Sequence, residues 1–157
     1  MIEQGLCSLG DHVADPTTRI RTSQTERHEN ILEYLGAAES LGFDAVVAGE
    51  HHFSDFIMSV PQMFLAHLAG QTSRVRLSSG VTLLPHHDPV RLAEDFATLD
   101  VLSNGRAERW VGKGVEPAVY QLFGQRSLLR KEFNQVHTSS NCIQVYFVTS
   151  ITFIERE

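Results

Sequence analysis

Residues 75–105 read VRLSSGVTLLPHHDPVRLAEDFATLDVLSNG, and they contain one complete strand–loop–helix unit. The first part, 75–84, is mostly apolar and β-branched, which predicts a buried strand. Asp88 and Pro89 then predict the start of a helix, because Asp accepts from free backbone N–H groups and proline fits the first helical turn. We expect this helix to run up to the polar SNG turn at 103–105.

The same unit recurs on the N-terminal side of this stretch. Residues 44–49, DAVVAG, form a short apolar run that is typical of a parallel strand buried on both faces. A helix is expected over about 60–72. Further upstream, the apolar stretch 2–9 predicts a first strand, and Ser23 with Glu26 has the spacing of a capping box at a helix start.

On the C-terminal side, a fourth strand is predicted at 106–112 and a fourth helix at about 116–123. Alternation in units of this length is typical of a parallel α/β fold. About four units are half of the eight in a (β/α)8 TIM barrel, which usually has ~250 residues. The pattern fits the N-terminal half of such a barrel or an open doubly wound sheet, and by itself it does not choose between them.

The segment after residue 124 has a different character. Its stretch 143–154, IQVYFVTSITFI, is uncharged and rich in β-branched and aromatic residues, so it is prone to aggregate if it is left unpaired. No further βα unit is recognisable after it. We therefore expect a partial barrel domain at 1–124 and a divergent tail at 125–157. A frameshift, a truncated gene or a degraded paralogue would each explain such a tail.

Composition narrows the class of protein. The formal net charge of −6 over 157 residues argues against a nucleic-acid partner, since binding phosphates needs a basic face. The N-terminal residues lack the pattern of a secretory signal, and no apolar run approaches the length of a membrane helix. Cys7 and Cys142 lack metal-site spacing and are expected to be free thiols. These features predict a cytoplasmic protein.

Chemistry in parallel α/β folds collects at the carboxyl ends of the strands. Residues 50–53, EHHF, directly follow the second strand, where an acid beside two imidazoles can exchange protons near neutral pH. The alternative is a solvated loop with one histidine packed inward. Gly80, within the third strand, either lets a flat ligand approach the main chain or makes room for a neighbouring side chain.

Two further clusters follow later strands. Gly112, Lys113 and Gly114 can offer backbone N–H groups and a positive charge to a phosphate, although a simple turn explains the same residues. His86 and His87 follow the third strand, and with His51 they raise the possibility of a metal site. Asp88 beside them is better explained as a helix cap, so no metal ligand is assigned.

Several of these stretches together resemble the bacterial luciferase-like flavin monooxygenase family. The matching stretches are GFDAVVAGEHHFSDF at 42–56, TSRVRLSSGVTLLPHHDPVRLAEDFATLDVLSNGRAE at 72–108, VGKG at 111–114 and LFG at 122–124. They occur in the order and spacing of the family. The resemblance implies a (β/α)8 barrel that binds FMN or the deazaflavin F420, a small-molecule substrate, oxygen chemistry, and a homo-oligomer such as a dimer.

The resemblance also implies roles for single residues. His51 falls on the catalytic acid/base histidine of the family, and His52 on a histidine associated with structure and the subunit contact. Gly80 and Val81 fall where many members have a non-proline cis peptide against the flavin ring. Lys113 falls near the cofactor phosphate. The cofactor-binding residues expected in this way are Gly80, Val81, Thr82, Gly112, Lys113 and Gly114.

Some positions are not expected to take part in the chemistry. Arg106 and Glu108 look like barrel-wall residues. Arg109 and Trp110 stand where many relatives have small or apolar residues, so they are either tolerated in the wall or they narrow the flavin pocket. The phosphate-binding loops of the family largely come from later units, and nothing in this chain resembles them.

Three hypotheses follow. The first is a flavin-dependent oxidoreductase or monooxygenase that uses His51. The second is an inactive fragment of that fold that only oligomerises. The third, a different class, is a metal-dependent hydrolase that uses His51, His86 and His87.

Overall fold

A parallel sheet with a helix after each of its first four strands makes up the structure, a computed structural model that describes residues 3–124 and 145–147. The strands are β1 (Gly5–Ser8), β2 (Ala45–Ala48), β3 (Arg76–Leu83), β4 (Ala107–Gly112) and β5 (Val145–Phe147). The helices are α1 (Gln24–Ala37), α2 (Pro61–Ala69), α3 (Pro89–Leu102) and α4 (Pro117–Leu122), with a short 3-10 turn at Leu84–His86. The predicted alternation of strands and helices is confirmed.

The order of the strands distinguishes the two folds that the sequence pattern left open. The sheet runs β1-β2-β3-β4-β5 and every pairing is parallel. A doubly wound sheet reverses its order at a switch point, whereas a barrel adds each new strand on the same side. Right-handed crossovers in this order also place all the helices on one face. The described residues therefore form an arc of a (β/α)8 barrel.

The two faces of this arc differ in polarity. Val46, Leu77 and Ala107 are neighbours across β2, β3 and β4, and they are buried in the core beneath the helices. The next residue of β3 and of β4 points to the inner face of the barrel. There the Ser78 hydroxyl donates to Glu108 at 2.8 Å, in agreement with the expected wall position of Glu108.

Both predicted helix caps are present. The Ser23 hydroxyl oxygen accepts from the backbone N–H of Glu26 at 3.1 Å. The Asp88 carboxylate accepts from the N–H groups of Val90 at 3.0 Å and Arg91 at 2.9 Å, and Pro89 follows it at the first helical position. These bonds satisfy N–H groups that have no partner within the helix, so the starts of α1 and α3 are set locally.

Arg106 differs from its expected position in the barrel wall. Its guanidinium donates to the carbonyl oxygens of Ala69 and Thr72 at the end of α2, at 3.1 and 3.0 Å. It also reaches the carbonyl oxygens of Val75 at 2.9 Å and Ser103 at 2.7 Å. Arg106 therefore ties the end of α2 to the starts of β3 and β4, a role that depends on tertiary contacts.

The tail contributes a strand that the sequence analysis did not assign. Residues Val145–Phe147 pair in parallel with β4, within the β-rich run 143–154. The rest of 125–157, with Cys142, lies outside the described residues, so the boundary at 124 stays a prediction. Cys7 is a free thiol. None of the helices in the described part of the chain is long and apolar enough to cross a membrane.

Candidate functional site

The carboxyl ends of β2, β3 and β4 bring the sequence-predicted site residues to one edge of the sheet. Glu50, His51 and His52 follow β2, while His86 and His87 follow β3. Ring contacts join the two loops, because His52 and His86 lie 6.0 Å apart, edge to face. The two histidine pairs of the sequence therefore belong to one site.

Glu50 is the centre of this site. Its side chain is fully buried, and its carboxylate accepts from His52 Nε2 at 2.7 Å, from His87 Nε2 at 2.9 Å and from the backbone N–H of Leu83 at 2.9 Å. His87 Nε2 lies 2.9 Å from both carboxylate oxygens. Burial alone would raise the pKa of Glu50, but the bonds and charge of His87, with those from Leu83 and His52, lower it overall. The carboxylate is therefore ionised at neutral pH.

His51 presents an imidazole beside this carboxylate. Its ring is half-buried and stacks on Phe56, with 4.2 Å between centroids and 15° between planes. Its side chain makes no hydrogen bond with any residue in the described ranges. Burial lowers the pKa of His51 and the charge of His52 lowers it further, while Glu50 opposes both. The ring is therefore neutral near pH 7 and can accept a proton.

A cavity of about 360 Å³ opens beside His51. It is lined by Gln24, His28, His51, His52, Phe53, Phe56, Ile57 and Ser59. This lining contains no Lys, Arg, Asp or Glu. The volume lies within the range of small-molecule sites, and a lining of aromatic, imidazole, amide and hydroxyl groups suits a neutral organic ligand.

Gly80 lies where the sheet is most crowded. The Gly80–Val81 peptide is cis, as the resemblance implies. A Cβ atom on Gly80 would lie 2.2 Å from Val47 Cγ1, so packing within the sheet already explains the glycine. The carbonyl of Val81 accepts from the N–H of Glu50 at 3.2 Å, which joins this segment to the loop after β2. Thr82, the next expected cofactor residue, is fully buried.

The GKG segment leads from the end of β4 into the loop before α4. Gly114 has a φ of +72°, a conformation that glycine adopts at little cost, and the Lys113 side chain is exposed. The Lys113 carbonyl accepts a short hydrogen bond from the Tyr120 hydroxyl of α4. A Cβ on Gly112 would lie 2.7 Å from Val81 Cγ2. These contacts account for both glycines within the chain, and the exposed Lys113 side chain lies beside the site.

Two other expectations concern the histidines and the wall of β4. Among residues 3–124, no group of three or more His, Cys, Asp or Glu side chains is arranged to hold a metal ion.

The buried Arg109 guanidinium lies 5.6 Å from the centre of the Phe96 ring of α3. Arg109 therefore packs among the helices, and Trp110, the next residue of the strand, points to the inner face.

The sequence pattern does not identify Glu50 as the centre of the site or His87 as its partner. His87 is 37 residues from Glu50 in the chain, and the pattern suggests for it only the role of a metal ligand. The available signal was the placement of an acid and a histidine at the ends of two neighbouring predicted strands. The bond between them depends on the register of β2 and β3, which periodicity does not provide.

Comparison with known proteins agrees with this fold. The luciferase-like monooxygenase family matches residues 4–137, so the match extends beyond both ends of the stretches that carry the resemblance, which begin at 42 and end at 124. The chain belongs to this family. A curated relative, the oxygenase component of the flavin-dependent trigonelline monooxygenase of Acinetobacter baylyi, is 31% identical over 106 residues, which are 66% of this chain and 29% of that protein. The chain thus spans less than a third of the length of this relative.

Several solved structures share the fold of this chain. A monooxygenase from Streptomyces bottropensis superposes with a TM-score of 0.74 at 29% identity, over 85% of this chain and 40% of its own. The FMN complex of the oxygenating constituent of 3,6-diketocamphane monooxygenase from Pseudomonas putida gives 0.72 at 24% identity, over 85% and 35%. The coenzyme F420-dependent tetrahydromethanopterin reductase of Methanopyrus kandleri gives 0.58 at 25% identity, over 80% and 31%.

Proposed function

We propose that this chain carries the acid/base half of a flavin-dependent monooxygenase site, in which His51 moves a proton to or from a small neutral organic substrate. The observation that carries the proposal is the state of His51: a neutral imidazole with no hydrogen bond to any described residue, beside an open cavity at the carboxyl ends of the strands. A general base needs both features, since it must be unprotonated and within reach of the substrate.

The cofactor is proposed to be reduced FMN, with F420 as the alternative. Bound reduced flavin would supply the electrons for the reaction with oxygen. The residues proposed to meet it are Gly80, Val81, Thr82, Gly112, Lys113 and Gly114. Backbone at Gly80 and Val81 would face the ring, and the exposed Lys113 ammonium would lie toward the phosphate. We further propose a cytoplasmic homodimer.

The proposal is tested with the chain and its His51→Ala variant. Reduced FMN and reduced F420 are titrated anaerobically, and oxygen uptake is then followed with small aldehydes, ketones and thioethers. Loss of a general acid/base typically lowers turnover by about 10²–10⁴-fold. We expect that loss in His51→Ala, with the affinity for reduced flavin unchanged within about twofold. His67→Ala, at an exposed position of α2, is the matched control.

Unchanged turnover in His51→Ala would remove His51 from the mechanism. The second candidate is a chain of this family that is inactive and only oligomerises. A stable oligomer that binds neither reduced cofactor would support that candidate and contradict the first.

A further inference from the structure

Glu50 joins three parts of the chain through one buried carboxylate. Leu83 ends β3, His87 follows the 3-10 turn after it, and His52 belongs to the loop after β2. All three donate to Glu50 at distances between 2.7 and 2.9 Å. A buried carboxylate is costly unless such bonds satisfy it. The ionised group therefore holds the ends of β2 and β3 at a fixed separation.

The backbone on either side of Glu50 is anchored as well. The N–H of Gly49 donates to the carbonyl of Ser8 at 2.9 Å, and that of Glu50 donates to Val81 at 3.2 Å. The N–H of His51 donates to Met58 at 2.9 Å. Since the His51 ring has no hydrogen bond of its own to a described residue, its direction is set by these anchors and by its stacking on Phe56.

We propose that Glu50, oriented by His87, is the positioning residue for His51. His87 Nε2 contacts both carboxylate oxygens, so it fixes the plane of the carboxylate as well as its place. The orientation of that plane determines whether Oε2 can accept from the Leu83 N–H and whether Oε1 can accept from His52. Loss of the His87 bond would let the loop that carries His51 move against β3. The effect of Glu50 on turnover rests on the proposed function. The orientation of His51 by Glu50 and His87 does not depend on bound flavin.

The test uses the whole chain without cofactor and compares two substitutions. His87→Leu is close in size and has no N–H donor, whereas His87→Gln restores a donor. Nuclear magnetic resonance follows the titration of the His51 imidazole and the hydrogen exchange of the Leu83 amide. The amide of Val46, in the middle of β2, reports global opening, and His67→Leu is the control for loss of a histidine.

In His87→Leu we expect Leu83 exchange to accelerate about tenfold or more relative to Val46, as for loss of a hydrogen bond to a charged group. We also expect the His51 titration to shift. His87→Gln should restore both toward the values of the unsubstituted chain. If His87→Leu does not fold, Glu50→Gln is read in the same way, with Glu33→Gln on the exposed face of α1 as its charge-matched control.

The inference is overturned if His51 and Leu83 are unchanged in the folded His87→Leu variant. Equal acceleration of Leu83 and Val46 in both His87 variants also overturns it, since this would mean a loss of global stability only. Turnover separates this inference from the proposed function. With an active chain, His87→Leu should lower kcat while the affinity for reduced flavin is kept. If the chain shows no turnover while the titration of its His51 imidazole still changes in His87→Leu, that result contradicts the proposed function and supports the positioning of His51 by Glu50 and His87.

Discussion

The two ends of the same sheet use their polar residues differently. At the amino ends of the strands, charged side chains bind backbone groups. Glu39 accepts from Ser73, Arg74 and Val75. Arg106 donates to backbone carbonyl oxygens at the end of α2, just before β3 and just after α3. At the carboxyl ends, imidazoles and a carboxylate bind one another, and His51 is left without such a bond in the described residues.

This difference indicates a division between stability and chemistry. Backbone groups at the amino ends are satisfied by side chains that link one element to the next, so these side chains hold the fold together. At the carboxyl ends His51 and His52 line a cavity, and the network around Glu50 lies beside them. Such a division is what a (β/α)8 barrel predicts, and substitutions at each end should change different quantities.

The largest effect on stability is expected for Arg106→Met at the amino end. The substitution keeps much of the side-chain length but removes five hydrogen bonds to Ala69, Thr72, Val75 and Ser103. We expect a loss of about 3 kcal/mol in the free energy of unfolding, because several carbonyl groups lose their partner. Urea denaturation measures this. Arg91→Met, at an exposed ion pair, is the control and should change by about 0.5 kcal/mol or less.

If Arg106→Met is as stable as the control, the hydrogen bonds at the amino ends of the strands contribute little to the free energy of unfolding. The stabilising role assigned to this end of the sheet would then be wrong.

A smaller loss of stability is expected for Gly80→Ala at the carboxyl end. The added Cβ would lie 2.2 Å from Val47 Cγ1, so the Val47 side chain or the strands that carry the two residues must shift. Overpacking of this kind costs about 1–3 kcal/mol. Thermal unfolding measures it, together with flavin affinity, which should also fall. Gly70→Ala is the control, since its Cβ would meet an ordinary contact of 3.6 Å. Equal stability of the two variants would show that Gly80 is not required for packing.

The smallest effect is expected for Glu39→Gln and depends on pH. Backbone N–H groups of Val75 and Arg74 hold the pKa of Glu39 at about 2, below the ordinary value of 4.5. A lowered pKa means that the carboxylate stabilises the fold above pH 4.5 and that this contribution is lost as the pH falls toward 2. Because solvent screens this group, we expect Glu39→Gln to cost about 1 kcal/mol at neutral pH.

The difference in stability between the two proteins should shrink as the pH is lowered to 2, where Glu39 is about half protonated in the folded state, and urea denaturation at both pH values would check this. A pH-independent difference between them would show that the Glu39 charge does not act in this way. Thr98→Ser on the exposed face of α3 has no change in charge and serves as the reference for both conditions.

The sequence predicted what depends on near neighbours in the chain. The caps at Ser23 and Asp88 were found because a capping side chain binds N–H groups two or three residues away. The strand β2 was found because a strand buried on both faces is continuously apolar, and β3 because its run is rich in apolar and β-branched residues. The choice of a barrel needed the family resemblance, since alternation alone leaves the order of the strands open.

Contacts between distant segments were not predicted. Glu50 and His87 meet because β2 and β3 pair in one particular register, and Arg106 reaches α2 across a gap of 34 or more residues. His51 was assigned from the resemblance, and its role stays a prediction. The strand at Val145–Phe147 was not assigned because its pairing with β4 is formed across a long segment of chain.

The account is tested most directly by locating the cofactor on the sheet. Reduced FMN is added anaerobically to the isotopically labelled chain, and shifts of the backbone amides are mapped by nuclear magnetic resonance. The account predicts shifts at residues 49–51, 80–82 and 112–114, at the carboxyl ends of β2, β3 and β4, and none at 39, 73–76 or 103–106. Shifts concentrated at the amino ends, or no shift at saturating FMN and F420, would contradict it.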